Sequence, residues 1–539
     1  MVLGESLLLY GLGAGAAAAL GLPALKSRLE LSRAKHPSLA GHARLARRVA
    51  ALVPGYGYGE ERFFRADSAP DEIEARRRAG FARLSTLYAQ KFANTLKLTT
   101  EAKEALSDLQ FTAAYRVPFQ FSGYVRSRLP VGAFLAESDG PLLTDLDGNR
   151  LYDLAGSYGV NVFGHEFYKS CMAEGAARAA ALGPVLGAYH PAVAYNVRRL
   201  REISGLDEVS FHMSGTEAVM QAVRLARYHT RRTHLVRFCG AYHGWWEDAR
   251  SYMLKDMDAD SLRVLQKRRD IACVLVNPVQ ALYPNSLPPA DGTLVDSGRR
   301  AGFDRAAYAT WLARLREVCD ARGIALIFDE VFVGFRLAPG GAQEYFGVRA
   351  DMVTYGKTVG GGFPVGVVCG RRALMRRFDE RRPADICFAR GTFNSHPYVM
   401  AAMQVFLERL PRLAHLYEGL DERWSARAAA LNARLESENL PVRIENLSTI
   451  WTVCYTRPSR YNWMLQYYLR AEGLALSWIG TGRLIFSLDY AEADYQAVAE
   501  RFVAAARAME RDGWWWSSPA LTNRSIRRQI LREIIRQRL

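Results

Sequence analysis

The apolar pattern changes period along the chain, and each change marks a different kind of element. From Ser6 to Leu25 no residue is charged (SLLLYGLGAGAAAALGLPAL). Twenty residues at about 1.5 Å each cover about 30 Å, the hydrocarbon thickness of a bilayer. Residues 1–25 are therefore predicted to form a membrane anchor helix, with an interfacial or hairpin-like insertion as the alternative that its alanine and glycine content leaves open. Residues 26–115 read as a helical extension punctuated by the turn signals VPGYGYGE and DSAPDE. The catalytic fold begins over 116–170, and over 171–395 apolar strands alternate with helices in the manner of βαβ units. Residues 396–513 read as a smaller α/β domain in which IENLSTIWTVCYT and GRLIFSLDY are strands between helices. The last piece, 514–539, follows Trp514, Trp515 and Trp516 with a basic amphipathic helix. It places Ile526, Ile530, Leu531, Ile534, Ile535 and Leu539 on one side. Tryptophans beside such a helix suit the headgroup layer of an anionic membrane. The alternative is a terminal helix docked on the protein's own body.

The chemistry sits where strands end. The apolar run IALIFDEVFVGFR carries Asp329, and 28 positions later Lys357 stands in the glycine-rich turn of ADMVTYGKTVGGGFPVG. A strand-end carboxylate and a lysine in such a turn suit pyridoxal phosphate: the lysine carries the cofactor as a Schiff base, and the carboxylate keeps the ring nitrogen protonated. A short strand also runs into Ser214-Gly215-Thr216, followed by a helix with Ala218, Val219, Ala222, Val223 and Ala226 on its apolar side. That helix start offers unpaired N–H groups to a phosphate, and Ser214 with Glu217 has capping-box spacing. The two readings are compatible. After a third strand come Tyr242, His243 and Gly244, where an aromatic ring can lie on a cofactor or simply join an aromatic core.

Taken in order, SGTEAVMQAVRLAR, YHG, FDEVFVGFRLAPGGAQEYFGV, YGKTVGGGFPVG and GTFNSHPYVMAAM, with DLDGNRLYDLAGSYGVNVFGH before them, resemble the class III, fold-type I aminotransferases. Within these the chain is most similar to the glutamate-1-semialdehyde aminomutase-like branch. The resemblance implies a large domain with a mostly parallel sheet, a small C-terminal α/β domain and pyridoxal 5'-phosphate as cofactor. By the same resemblance Lys357 is the Schiff-base lysine and proton shuttle, and Asp329 is the partner of the pyridine nitrogen. Val331 packs on one ring face and Tyr242 on the other, with His243 among the cofactor-contacting residues. Ser214, Gly215 and Thr216 bind the phosphate, and Thr392 reaches the phosphate of the neighbouring subunit's cofactor, which implies a homodimer with shared active sites. The chain departs from the family at Asn277, where relatives commonly carry an acidic residue before proline. The aminomutase's substrate-carboxylate arginine is not placed by the pattern, although Arg126 and Arg128 lie nearby.

Composition adds charge and location. At 539 residues, 49% hydrophobic and 23% charged, the chain is a globular protein with room for several packed lobes. Its seven cysteines form no C-x-x-C pair and suggest no metal site. The net charge of +16 gathers partly at the ends: residues 26–48 hold seven Lys and Arg against Glu30, and the last sixteen hold six arginines against Glu533. No nucleic-acid motif accompanies this charge, which points instead to an anionic membrane or an acidic carrier protein. The expectation is an enzyme on the cytoplasmic face of a membrane that uses an amino donor to aminate an aldehyde or ketone, amphiphilic or carrier-bound. A 2,1-aminomutase and a catalytically silent membrane scaffold are the rival readings.

Overall fold

The computed structural model describes residues 23, 25–34, 51–246, 248, 250–255, 258–278, 302–477 and 482–538. Seven strands form the main sheet: β1 (Glu208–His212), β2 (His234–Phe238), β3 (Ser251–Leu254), β4 (Ile271–Val276), β5 (Ala325–Asp329), β6 (Met352–Gly356) and β7 (Gly366–Gly370). Their order is β1-β7-β6-β5-β4-β2-β3. All neighbours run parallel except β7, which is antiparallel to both β1 and β6. Every residue of β4 to β7 is buried. That explains their continuous apolar runs, because helices cover both faces and leave no polar side to alternate. The arrangement brings the C-terminal ends of β1, β2, β5 and β6 to one edge, where open α/β sheets bind ligands.

Two smaller sheets flank this one. Leu135–Asp139, Leu142–Asp145 and Arg150–Asp153 pair in antiparallel succession, and Leu474–Ala475 joins Arg150–Asp153 in parallel. That last pairing ties the C-terminal part of the chain to the start of the catalytic fold. Val442–Leu447, Ile450–Tyr455 and Arg483–Ile485 form the third sheet. Buried Arg336 joins this sheet's surroundings to the large one, donating to Thr449 Oγ1 (3.0 Å), the Phe486 carbonyl (2.6 Å) and the Asn161 carbonyl (2.9 Å).

Helices Asp71–Lys91, Ala93–Lys103, Ser107–Tyr115 and Phe119–Arg128 precede the sheets. They are fastened to the C-terminal region through Arg77, which pairs with Asp67 at 2.6 Å with both side chains fully buried. Arg77 also donates to the Gly513 carbonyl and lies 4.3 Å from the Tyr461 ring centroid. Trp514 completes this cluster and corrects the expected tail. Trp514 and Trp515 are both 0% exposed. Their ring N–H groups are satisfied inside the protein, by Tyr468 Oη at 2.8 Å and Asn462 Oδ1 at 2.9 Å. A tryptophan seeks a membrane interface to bury its ring while keeping its N–H bonded, and here the core meets both needs.

The helix that follows, Asn523–Arg538, is docked on the body as well. Ile526 is buried, while Leu531 and Ile535 remain exposed, so the expected single apolar face is divided. Glu533 anchors it, accepting from Tyr58, Tyr56, Arg62 and Arg460. Among the described residues no helix is long and apolar enough to cross a membrane. The anchor expected over 1–25 lies, apart from Pro23 and Leu25, outside the described residues.

Burial alone would raise the Glu533 carboxyl, but the hydrogen bond and charge of Arg460, with Tyr58 and Arg62, more than offset it and hold it below the usual range. A depressed carboxyl stabilises the fold above its unfolded value and loses that contribution as pH falls through its folded value. Amide exchange over 523–538, corrected for intrinsic rates, should therefore accelerate on acidification. In Glu533→Gln the same segment should exchange fast already at neutral pH. Unchanged protection in that variant would show that the apolar contacts alone hold the helix.

Candidate active site

Four of the motifs meet at the sheet edge. Asp329 ends β5 and is 3% exposed. Its Oδ2 lies 2.7 Å from His243 Nδ1, and its Oδ1 accepts from the Val331 N–H at 3.1 Å and Thr354 Oγ1 at 3.3 Å. An ionised carboxylate only accepts, so His243 Nδ1 carries the proton in that pair. The next residue, Glu330, points to the opposite face as strand alternation requires. It accepts from the N–H groups of Ala342 and Gln343, and burial pushes its carboxyl up to about 8. The two adjacent carboxyl groups thus differ in position and in charge: Asp329 faces the site, whereas Glu330 caps a helix with its neutral form favoured by burial.

Lys357 follows β6 directly, with φ +51. A non-glycine residue in the left-handed region costs roughly 1–3 kcal/mol and persists only where the surroundings hold it, as at functional sites. Its Nζ lies 4.8 Å from the Phe332 ring centroid and makes no ion pair among the described residues. Burial lowers this amine to about 8, with the Asp329 charge opposing and the Arg336 charge assisting. An amine so placed is available in its neutral form near neutral pH.

At the end of β1, Ser214 Oγ accepts from the Glu217 N–H at 3.2 Å and Glu217 Oε2 accepts from the Met213 N–H at 3.0 Å, so the capping interaction forms. It leaves the N–H groups of Gly215 and Thr216 at the open start of the helix Gly215–Thr230, ahead of its hydrogen-bond ladder. Gly215 is required there, because a Cβ would meet Val331 Cγ1 at 2.6 Å. Gly244, at φ +89, brings its turn against Thr216. The Ser-Gly-Thr turn, the Tyr-His-Gly turn, Val331 and the Gly356-Lys357 step are therefore in mutual contact.

These groups fit pyridoxal phosphate. A buried carboxylate is available for a ring nitrogen, a helix start with spare N–H groups for a phosphate, and an unpaired amine for the covalent link. Tyr242 is 68% exposed on the single chain, and its carbonyl accepts from Asn277 Nδ2 at 3.3 Å, so the amide that replaces an acidic residue holds the tyrosine's own turn. Thr392 is exposed, and no hydrogen bond among the described residues joins it to Ser214–Thr216. Arg128 lies over the Tyr124 ring at 3.8 Å, and exposed Arg126 borders a cavity.

Sequence reasoning passed over several residues of the site. Thr354 and Arg336 are polar interruptions in otherwise apolar buried runs, and that was their signal. Phe332 gave none. Ser157 and Tyr158, at φ +45 and +56, form a strained turn whose next residue, Gly159, packs against the Phe332 ring. Beyond them opens the cavity, of about 420 Å³.

The chain is similar to known proteins in sequence and in fold. A family model described as Aminotransferase class-III matches residues 124–263 and 297–505. The chain is 34% identical over 381 residues to a glutamate-1-semialdehyde 2,1-aminomutase of Nitratidesulfovibrio vulgaris strain DP4, covering 65% of this chain and 84% of that one. Among solved structures it is similar to a β-phenylalanine aminotransferase from Variovorax paradoxus, with TM-score 0.62 and 25% identity over 81% of this chain and 98% of that one. A glutamate-1-semialdehyde aminomutase from Pseudomonas aeruginosa PAO1 shares the fold, with TM-score 0.62 and 18% identity over 81% and 99%. The chain therefore belongs to the class-III aminotransferase family and is a pyridoxal-phosphate-dependent transaminase or aminomutase.

Proposed function

We propose that this chain catalyses amino-group migration of the 2,1-aminomutase type, in which an amino group leaves one carbon of a substrate and returns to its neighbour. The observation that carries the reading is that Lys357, without an ion pair among the described residues, and His243-held Asp329 stand at the ends of neighbouring strands in a chain 34% identical to an aminomutase. Intermolecular transamination of an external aldehyde or ketone is the second reading, favoured by the size of the cavity beyond Tyr158. A silent scaffold would have no use for a strained lysine beside a buried carboxylate.

When bound, pyridoxal phosphate supplies the electron-withdrawing ring that weakens the bonds at the amino carbon. In this reading Asp329 holds a proton at the ring nitrogen, and His243 and Thr354 fix the carboxylate's orientation. Lys357 Nζ would take the proton from the carbon that loses the amino group and supply one to the neighbouring carbon that receives it, which its lowered proton affinity permits near neutrality. Val331 and Tyr242 enclose the ring, and Gly215 and Thr216, with Ser214 shaping the turn, hold the phosphate. Thr392 completes the phosphate site from the partner subunit of a homodimer.

Purified enzyme given glutamate 1-semialdehyde, with no other amino donor or acceptor, separates the two readings. An aminomutase turns over many times on this single substrate, whereas a transaminase stops after about one equivalent per site. A stop at one equivalent would overturn the migration reading.

Lys357→Ala should fold but lose both the visible absorbance of the bound cofactor and all sustained turnover. In wild-type apoprotein the rate of covalent cofactor uptake should rise as pH passes about 8, where burial puts the Lys357 amine. A midpoint near 10, as for an ordinary lysine, would contradict the buried-amine account.

Thr392→Ala should weaken cofactor retention, and mixing it with Lys357→Ala tests whether the site is shared. In the mixed dimer one site combines intact Lys357 with Thr392 from the other chain, so part of the activity should return. No recovery despite demonstrated subunit exchange would place Thr392 outside the site.

A further inference from the structure

The cavity beside Tyr158 is walled in part by a stretch of the chain that precedes the family match. Helices Ala93–Lys103 and Ser107–Tyr115 contribute Leu96, Leu109 and Ala113, while Leu143 and Leu476 close the catalytic side. Its volume of about 420 Å³ lies in the range of small-molecule sites. The cavity stops short of Lys357, but the path is short: Tyr158 lines it, Gly159 touches Phe332, and Phe332 lies under the Lys357 amine.

The charges on its walls are unbalanced. Half-buried Lys103, Arg116 and Arg470 line it with exposed Arg126, and none of the four makes an ion pair among the described residues. Arg116 donates only to Gln466 Oε1, at 3.4 Å, and Arg470 to the Gly132 carbonyl, at 3.2 Å, while Arg470 Nε is buried with no partner. Burial lowers the proton affinity of both guanidiniums, the sign of cations held without a counter-charge. The one carboxylate on the wall, Asp153, is already occupied by the N–H groups of Ala155 and Gly156 and by His165. Half-buried cations without a counter-charge, the guanidiniums of Arg116 and Arg470 beside Lys103, against a lining rich in leucine define a ligand with an anionic group and a hydrocarbon body.

We infer that this cavity is the substrate site and takes an aliphatic carboxylic acid, its carboxylate on Arg116 and Arg470 and its chain among Leu96, Leu109, Leu143 and Leu476. The inference rests on the amino-transfer reading only for the identity of the reacting end, which lies toward Tyr158 and Lys357. A short dicarboxylate would leave the leucines without contact and place its second charge in an apolar wall. A neutral alcohol of equal length would leave the arginines unpaired.

Unreactive probes test this on the full-length holoenzyme. Hexanoate, octanoate, decanoate, 1-octanol and glutarate are titrated by calorimetry, then used as competitors of glutamate 1-semialdehyde in the turnover assay. Affinity should rise about fourfold per added methylene along the acid series. Octanoate should bind at least tenfold more tightly than 1-octanol or glutarate, and should compete with glutamate 1-semialdehyde. Arg116→Gln and Arg470→Gln should each weaken octanoate at least tenfold, and Ala113→Phe, which fills the cavity, should flatten the chain-length series. Equal binding of octanoate and 1-octanol overturns the inference, and this comparison needs no variant should Arg470→Gln fail to fold. Octanoate that binds without competing overturns the assignment as substrate site. Failure of the amino-transfer reading is distinct from both, since it appears as normal turnover in Lys357→Ala.

Discussion

The site depends on one buried carboxylate. Asp329 must stay ionised at the end of a strand that is otherwise wholly apolar, and an uncompensated charge there would be prohibitive. His243 Nδ1, the Val331 N–H and Thr354 Oγ1 supply the compensation from three different elements. Each of these also has a second task. His243 belongs to the turn that carries Tyr242, Val331 packs on Gly215, and Thr354 lies on the strand that delivers Lys357. Satisfying the charge therefore assembles the ring, phosphate and amine positions together, and this is why motifs far apart in sequence can be read as one site.

The extension depends on a second buried charge. Arg77 is satisfied by Asp67 and by carbonyls of Phe64 and Gly513, and it stacks on Tyr461. Removing one partner of such a pair typically costs about 3–5 kcal/mol, whereas the intact pair contributes less than its geometry suggests. Its effect is better described as specificity of docking. The pair fastens the helix Asp71–Lys91 against the 510–515 region, and the two helices that follow it, Ala93–Lys103 and Ser107–Tyr115, line the cavity beside Tyr158.

The sequence announced the catalytic edge because strand-end polar residues stand out against continuous apolar runs. Asp329, Lys357 and Ser214–Thr216 were all visible in this way. The hold of His243 on Asp329 was not, since it joins residues 86 positions apart across the intervening strand β4. The strained Ser157-Tyr158 turn was also hidden, because neither residue type signals a left-handed backbone. At the C-terminus the pattern of Trp514 to Leu539 said that an apolar surface is buried but not against what. Periodicity specifies a buried face, and only Glu533 and the satisfied tryptophan N–H groups name the partner.

The net charge of +16 illustrates the same limit of composition. Read as a surface property it suggests an anionic partner, yet Arg77, Arg336 and Arg460 are at most 1% exposed and Arg427 only 7%. All four donate to backbone carbonyls far away in sequence. Arginine suits that work because its planar fork reaches several acceptors at once and stays charged when buried. Arg77, Arg427 and Arg460 are moreover paired with Asp67, Glu492 and Glu533, so these guanidiniums are engaged inside the protein and present little surface to a partner. Arg116 and Arg470 differ from them in having few acceptors and an open cavity in front. That contrast, rather than the total, is what makes the pair a candidate anion site.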